Sequence, residues 1–184
     1  GYFVETGWLN SYLRKESIDP TGEPIPWLTY SFLDFLDGRL TKKLNIFEYG
    51  AGNSTLYYAK HVHTVTSIEH DQGWYYRIKN QMPTNVSIKN ISLENDEYIN
   101  AILQENQLFD IVIVDGRKRV SCCKNAIHKL SESGIILLDD SERSDYQPAI
   151  EFLIAQGFKH IPFSGIAIGA IHRKSTSLFY KENN

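Results

Sequence analysis

Between residues 45 and 163, short apolar segments alternate regularly with helical ones, and this alternation constrains the fold more than any other feature of the chain. The predicted strands, all short and apolar, are 45–49, 64–68, 86–91, 109–114 and 134–138. The predicted helices that follow them are 53–61, 74–82, 97–103, 119–130 and 145–156. Such a repeat indicates a parallel sheet with helices on both faces, because continuously apolar strands need cover on each side.

The end of the chain departs from this repeat. Two closing strands, 158–163 and 177–180, have no clear helix between them, which predicts an antiparallel hairpin. The expected fold class is α/β: a Rossmann-like, doubly wound, mostly parallel seven-stranded sheet with a C-terminal antiparallel hairpin. A helix predicted at 26–37 separates an aromatic-rich N-terminal extension, 1–25, from one main domain, 26–184.

Charge and cysteine content exclude several classes of protein. The net charge of −3 shows no basic excess, which argues against a nucleic-acid partner. No apolar run is long enough to predict a membrane span, and no secretory leader is visible. Cys122 and Cys123 are adjacent in a predicted helix and are expected to be buried and unpaired. These features favour a cytoplasmic protein.

A glycine turn, with Gly50 and Gly52, follows the first predicted strand. Glycines there allow a sharp turn and close approach of a ligand, and Asn53 or Ser54 can cap the next helix. A dinucleotide-binding turn would carry a third glycine where Thr55 stands. Glu48 would repel a pyrophosphate but suits a cationic ligand.

The pattern Glu48-x-Gly50-x-Gly52-x-Ser54 resembles motif I of class I S-adenosylmethionine (SAM)-dependent methyltransferases. The resemblance implies SAM as the cofactor, bound by motif I and by the ends of the next two strands. Glu69 ends the second strand, where an acid accepts hydrogen bonds from ribose hydroxyls. Asp71 is expected to cap the following helix. The expected cofactor-binding residues are Glu48, Gly50, Gly52, Asn53, Ser54, Glu69, His70, Ser92 and Asp115, with His70 and Ser92 near the adenine.

Acidic residues also end the fourth and fifth strands. Asp115 and the pair Asp139-Asp140 should meet at the mouth of the cofactor site. The arrangement is similar to metal-dependent O-methyltransferases of the catechol type, although those carry Asp-Asn in place of Asp139-Asp140. Three interpretations remain open: a divalent metal such as Mg²⁺ bound by Asp115, Asp139 and Asp140; a metal-free contact with substrate or SAM, with the cations at 117–119 neutralising the acids; or simple capping of turns.

These observations predict a SAM-dependent methyltransferase whose acceptor is a small molecule, with Asp115 and Asp140 as candidate catalytic residues. Its mechanism would be direct attack on the SAM methyl, and the catechol-type similarity favours a hydroxyl acceptor. The motif of base N-methyltransferases, Asn/Asp-Pro-Pro-Tyr, is missing from the fourth strand. The alternatives are a non-catalytic SAM-binding domain and an NAD-type oxidoreductase or epimerase. The N-terminal extension could be a lid over the pocket, with Trp27 and Tyr30 near substrate, or an arm for a homodimer.

Overall fold

A computed structural model describes residues 1–181, within which seven strands form one sheet. The strands are β1 Asn45–Tyr49, β2 Thr64–Glu69, β3 Val86–Asn90, β4 Phe109–Val114, β5 Leu130–Leu138, β6 Lys159–Ile166 and β7 Arg173–Tyr180. The α-helices are α1 Tyr2–Glu5, α2 Trp8–Arg14, α3 Tyr30–Leu36, α4 Asn53–His61, α5 Gln72–Ile78, α6 Glu97–Asn100, α7 Arg119–Ala126 and α8 Gln147–Ala155.

The strand order is β3-β2-β1-β4-β5-β7-β6. Strands β1 to β5 pair in parallel, whereas β7 is antiparallel to both β5 and β6. The predicted Rossmann-like sheet with its closing hairpin is therefore confirmed. The order reverses between β1 and β4, and the carboxyl ends of these neighbours form the crevice in which such folds bind ligands.

Both faces of the sheet are covered, which explains the continuously apolar strands. Along β4, Ile111 and Ile113 pack against α3 and α4, while Val112 and Val114 pack against α6, α7 and α8. Cys122 and Cys123 are fully buried and unpaired, as predicted, and they lie on the same face of the sheet as Val112 and Val114. None of the helices in residues 1–181 is long and apolar enough to cross a membrane.

Several boundaries differ from the predictions, and three of them, the starts of α3, β5 and β7, change how the sheet is built. Helix α3 begins at Tyr30 instead of residue 26, because Thr29 forms a β-bridge with Ala167 and donates its hydroxyl to the Phe163 carbonyl at 3.1 Å. Strand β5 begins at Leu130, where the predicted helix was to end, since Leu130 pairs with Phe109 before a register shift in the ladder. Strand β7 begins at Arg173, four residues before the predicted start, so the hairpin is longer.

The N-terminal residues lie against the main sheet. A β-bridge joins Ile18 to Pro24, and Ile18 is buried. The side-chain amide of Asn53, at the start of α4, donates to the Ser17 carbonyl at 2.8 Å. Residues 15–27 therefore pass beside the turn that joins β1 to α4.

Candidate active site

The turns after β1 and β4 pack directly on each other. Gly50 has a φ of +99°, which favours glycine, and a Cβ there would lie 3.3 Å from backbone atoms of Gly116. A Cβ on Gly116 would lie 2.0 Å from the Tyr98 hydroxyl and 3.0 Å from the Tyr49 carbonyl oxygen. Glycine is therefore needed at both positions to bring the two strand ends together.

Glu48 lies beneath the glycine turn and is 1% exposed. Three hydroxyls donate to its carboxylate: Ser54, Thr55 at 2.5 Å and Ser67 at 2.7 Å. Thr55 also accepts the backbone N–H of Gly52 at 3.0 Å. Thr55 thus locks the turn through its hydroxyl, where a dinucleotide-binding turn has glycine. Glu48 holds the turn from below, and the structure does not bring it into the cavity with the other predicted cofactor residues.

Burial raises the pKa of Glu48 to about 7, although the three hydroxyls oppose the shift. The folded protein therefore keeps this proton to higher pH than the unfolded chain, so Glu48 lowers stability as pH rises from about 4.5 to about 7. We expect Glu48→Gln to remove this loss, worth at most about 3 kcal/mol. Urea unfolding at pH 5 and pH 8 tests it, with exposed Glu132→Gln as control. Equal pH dependence in wild type and Glu48→Gln would contradict it.

Glu69 and His70 end β2 beside the glycine turn. Glu69 Oε1 accepts the Asp71 N–H at 2.7 Å and lies 2.9 Å from His70 Nδ1. Its Oε2 accepts the Ala51 N–H at 3.3 Å and retains a lone pair for a further donor. Both side chains line a cavity of about 280 Å³ with Gly50, Ala51, Ser54, Asp115, Gly116, Arg117 and Arg119. Asp71 caps α5 by accepting the Trp74 N–H at 2.7 Å, as predicted.

A second cavity, of about 580 Å³, lies between the glycine turn and the N-terminal segment. Its walls include residues 15–18 and Trp27 on one side, and Ala51–Ser54 with Trp74 on the other. Trp74 Nε1 donates to the Ala51 carbonyl at 2.7 Å, which fixes the indole against the turn. Asn53, predicted to bind the cofactor, lines this cavity and also holds the N-terminal segment.

The acids after β4 and β5 converge, as the sequence predicts, but around protein cations. Lys174 Nζ lies 2.8 Å from Asp139 Oδ2 and 2.8 Å from Asp140 Oδ1. The other Asp139 oxygen accepts the Thr176 hydroxyl at 2.8 Å. Asp140 has a φ of +54°, a left-handed conformation that is strained in a non-glycine residue and is common at functional sites.

Two arginines complete the neutralisation of these acids. Arg119 Nη2 lies 3.1 Å from Asp115 Oδ1 and 3.4 Å from Asp140 Oδ2, and Arg119 Nη1 donates to the Asp139 carbonyl at 2.5 Å. Arg143 Nη2 contacts Asp140 Oδ2 at 2.8 Å. The proposed neutralisation by the segment 117–119 is therefore seen for Arg119. Arg117 lines the Glu69 cavity, and Lys118 pairs with Asp96 at 3.3 Å.

Neighbouring charges push the pKa values of two acids apart. Burial and the Asp139 carboxylate raise the pKa of Asp115 well above its usual range. Burial also opposes ionisation of Asp140, but Lys174, Arg119 and Arg143 hold its pKa below the usual range. Paired carboxyls with divergent pKa values are typical of acid–base sites. Asp115 is therefore the more basic carboxylate of the two, and Asp140 stays ionised to lower pH than Asp115 does.

These residues do not fit a divalent metal. Within residues 1–181, no group of three or more His, Cys, Asp or Glu side chains is arranged to hold one. Both oxygens of Asp139 are bound by Lys174 and Thr176, and both oxygens of Asp140 contact cations. The metal set expected from Asp115, Asp139 and Asp140 is therefore corrected: side-chain cations already take these oxygens.

A third cavity, of about 430 Å³, lies over the acids. It is lined by Trp27, Asp115, Asp139, Asp140, Arg143, Gly169, Ala170, Ile171, His172 and Lys174. Asp115 lines all three cavities, and Trp27 lines this one and the N-terminal one. One cleft thus runs from Glu69 past Asp115 to Lys174.

Several predicted residues lie elsewhere. Ser92 lines none of these three cavities; it is exposed, and its hydroxyl accepts the Glu94 N–H at 3.1 Å. Tyr30, expected near substrate, is buried and donates to the Thr6 carbonyl at 3.3 Å. Lys174 and Trp74 were missed. A tryptophan just inside a predicted helix was a weak signal for Trp74, whereas nothing local marked Lys174.

Comparison with known proteins supports the same fold. No protein-family model matches the chain, and no curated protein matches it. A Klebsiella pneumoniae protein proposed to be an O-methyltransferase is 18% identical, with a TM-score of 0.68 over 97% of this chain and 89% of that one. Precorrin-6y C5,15-methyltransferase from Geobacter metallireducens GS-15 is 14% identical, with a TM-score of 0.63 over 83% and 87%.

The N-methyltransferase NodS from Bradyrhizobium japonicum WM9, solved with S-adenosyl-l-homocysteine, is also similar. It is 16% identical, with a TM-score of 0.53 over 76% of this chain and 78% of that one. Methyltransferases that act on different acceptors thus share this architecture, so the likeness does not distinguish among acceptors. The chain has the class I methyltransferase fold, with a charged cleft at the carboxyl edge of its sheet.

Proposed function

We propose that this protein transfers a methyl group from SAM to a hydroxyl of a small molecule. The observation that carries the proposal is the meeting of three cavities at Asp115. On one side lie the glycine turn and Glu69, and on the other lie Asp140 and Lys174. A donor and an acceptor bound in these two parts would meet beside Asp115.

The side of the cleft near Glu69 suits SAM. The Glu69 carboxylate ends β2, where the ribose hydroxyls of a nucleoside would reach its Oε2. Gly50, Gly52 and Ser54 border the same space, and His70 lies beside Glu69 for contact with the adenine. The similar protein NodS was solved with S-adenosyl-l-homocysteine, which supports the same ligand here. Residues 15–27 would then form a wall or lid over the donor.

The cavity near Lys174 suits a small acceptor. Its volume of about 430 Å³ falls in the range of small-molecule pockets, and Trp27 and Ile171 give it an apolar rim. The similarity to the Klebsiella pneumoniae protein supports a hydroxyl acceptor. The chain carries a net charge of −3, which gives no support for a polyanionic acceptor.

Positioning would supply most of the rate enhancement. SAM supplies an electrophilic methyl group when bound. Asp115 would accept the proton of the acceptor hydroxyl while the hydroxyl oxygen attacks that methyl group, with S-adenosyl-l-homocysteine as the leaving group. Asp140, kept ionised by Lys174 and Arg143, orients the hydroxyl through a hydrogen bond.

The cofactor assignment is tested by calorimetric titration with S-adenosyl-l-homocysteine. We expect binding that Glu69→Ala weakens by about 10- to 150-fold, the value of a hydrogen bond to a charged group. Glu94→Ala, an exposed acid after β3 that lines none of the three cavities, is the matched control. Thermal unfolding of each variant separates loss of the ligand contact from loss of the fold.

Three outcomes would count against the proposal. Equal affinity of wild type and Glu69→Ala for S-adenosyl-l-homocysteine would show that the ribose does not bind at the end of β2. Binding of NAD in preference to S-adenosyl-l-homocysteine would favour an oxidoreductase or epimerase. Binding of SAM without transfer to any of a panel of phenols and sugar hydroxyls would favour a non-catalytic SAM-binding domain.

A further inference from the structure

Lys174 occupies the centre of the acid cluster after β5. Its ammonium lies 2.8 Å from a carboxylate oxygen of Asp139 and 2.8 Å from one of Asp140. The lysine is 8% exposed, and Asp139 and Asp140 are 2% and 5% exposed. Long charged side chains are rarely buried to this extent unless they are paired.

The backbone is bent to make this pairing. Side chains of neighbouring residues on a strand point to opposite faces, so Asp139 and Asp140 would ordinarily diverge. The left-handed φ of Asp140 turns the chain just after β5, and both carboxylates reach the same ammonium. Left-handed conformations are unfavourable for residues that carry a Cβ. The strain is retained where the surrounding contacts require it.

We infer that the Lys174 ammonium takes the place of a divalent cation in the acceptor cavity, an inference that rests on the proposed function because that cavity is the one assigned to the acceptor. Two carboxylate oxygens from adjacent residues, Asp139 Oδ2 and Asp140 Oδ1, face the ammonium and would be left as an oxygen pair for another cation if the lysine side chain were removed. With Lys174 present, a side chain of the protein supplies the positive charge in this cavity. The acceptor is therefore held and oriented without a bound metal ion.

The chain provides a direct test in the Lys174→Ala variant. Binding of Mn²⁺ is measured by electron paramagnetic resonance of the free ion, for wild type and for the variant. Wild type is expected to bind no Mn²⁺ at this site, whereas Lys174→Ala is expected to bind one ion with a dissociation constant of roughly 10⁻⁵–10⁻³ M. The double variant Lys174→Ala/Asp140→Asn should lose that binding, and Lys174→Arg should never acquire it.

Thermal unfolding gives a second reading that does not depend on turnover. Lys174→Ala leaves like charges together and should lower the midpoint, and added Mg²⁺ should raise it again by mass action. Lys174→Gln keeps the length of the side chain without its charge, and it serves if the alanine variant does not fold. Mg²⁺ should stabilise this variant as well and leave wild type unchanged.

Two results would overturn the inference. One is Mn²⁺ binding by wild type that Asp140→Asn abolishes, since a metal would then be a natural part of the site. The other is a folded Lys174→Ala or Lys174→Gln variant that binds no Mn²⁺. A parallel titration with S-adenosyl-l-homocysteine separates the two proposals: its failure would remove the cofactor assignment and leave the metal-binding result standing.

Discussion

Asp115→Asn is expected to lower methyl transfer at saturating SAM by about 10²- to 10⁴-fold, the contribution of a positioned general base. The asparagine keeps the shape of the side chain but cannot accept the proton. The same substitution should raise the thermal midpoint at pH 8. Because burial and Asp139 raise the pKa of Asp115, the ionised carboxylate is less favourable in the folded protein than in the unfolded chain. Its removal relieves that cost, and the gain should vanish in acid, where both states are protonated.

The opposite signs of these two effects make the result easy to interpret. A variant that is inactive but more stable has lost a catalytic group, whereas a variant that is inactive and less stable has lost activity because its fold is weakened. Asp145→Asn, an exposed acid in the turn after β5, is the matched control and should change neither quantity. Transfer of tritium from labelled SAM measures the rate. Wild-type turnover in Asp115→Asn would show that another group accepts the proton.

Gly116→Ala should produce the largest loss of stability. The added Cβ would lie 2.0 Å from the Tyr98 hydroxyl and within about 3 Å of the backbone at Tyr49 and Gly50. Overpacking against backbone costs about 3 kcal/mol, which for a chain of this length lowers the thermal midpoint by roughly 6–12 °C. The glycine turn would also move, so affinity for S-adenosyl-l-homocysteine should fall as well.

A double-mutant cycle identifies the source of this loss. Tyr98→Phe removes the clashing oxygen, so the combination Gly116→Ala/Tyr98→Phe should recover part of the lost stability. Gly73→Ala serves as control: it lies in α5, and its added methyl would meet only Asp71 Oδ1, at 3.3 Å, so it should change stability by less than about 1 kcal/mol. No recovery in the double variant would mean that the contacts with Tyr49 and Gly50 dominate.

Local patterns in the sequence were enough to predict the sheet and the glycine turn. Periodicity and turn residues act over a few positions, which is why β1, α4 and the Asp71 cap agree with prediction. The starts of α3 and β5 were wrong because distant partners decide them: Thr29 with Ala167, and Leu130 with Phe109. Tertiary contacts of this kind leave no trace in local propensity.

In the candidate site, too, some features follow from sequence patterns and others depend on distant contacts. The convergence of Asp115, Asp139 and Asp140 follows from strand order, which the sequence pattern predicts. The role of Lys174 does not, because the lysine lies 35 residues after Asp139 and reaches it only through the antiparallel pairing of β5 with β7. The divalent metal, one of the three interpretations that the acid-rich strand ends left open, is therefore the one that the fold does not support.

The position of Lys174 on β7, which follows β5 in the chain, has a consequence for synthesis. As the chain leaves the ribosome, the parallel strands β1 to β5 are complete well before β7. Until β7 inserts beside β5, Asp139 and Asp140 have no ammonium between them, and their repulsion opposes closure of that strand end. Insertion of β7 completes the sheet and brings the Lys174 ammonium to both carboxylates in one step. The cavity over Asp139 and Asp140 therefore forms only after the glycine turn and the strand end at Glu69 have been synthesised.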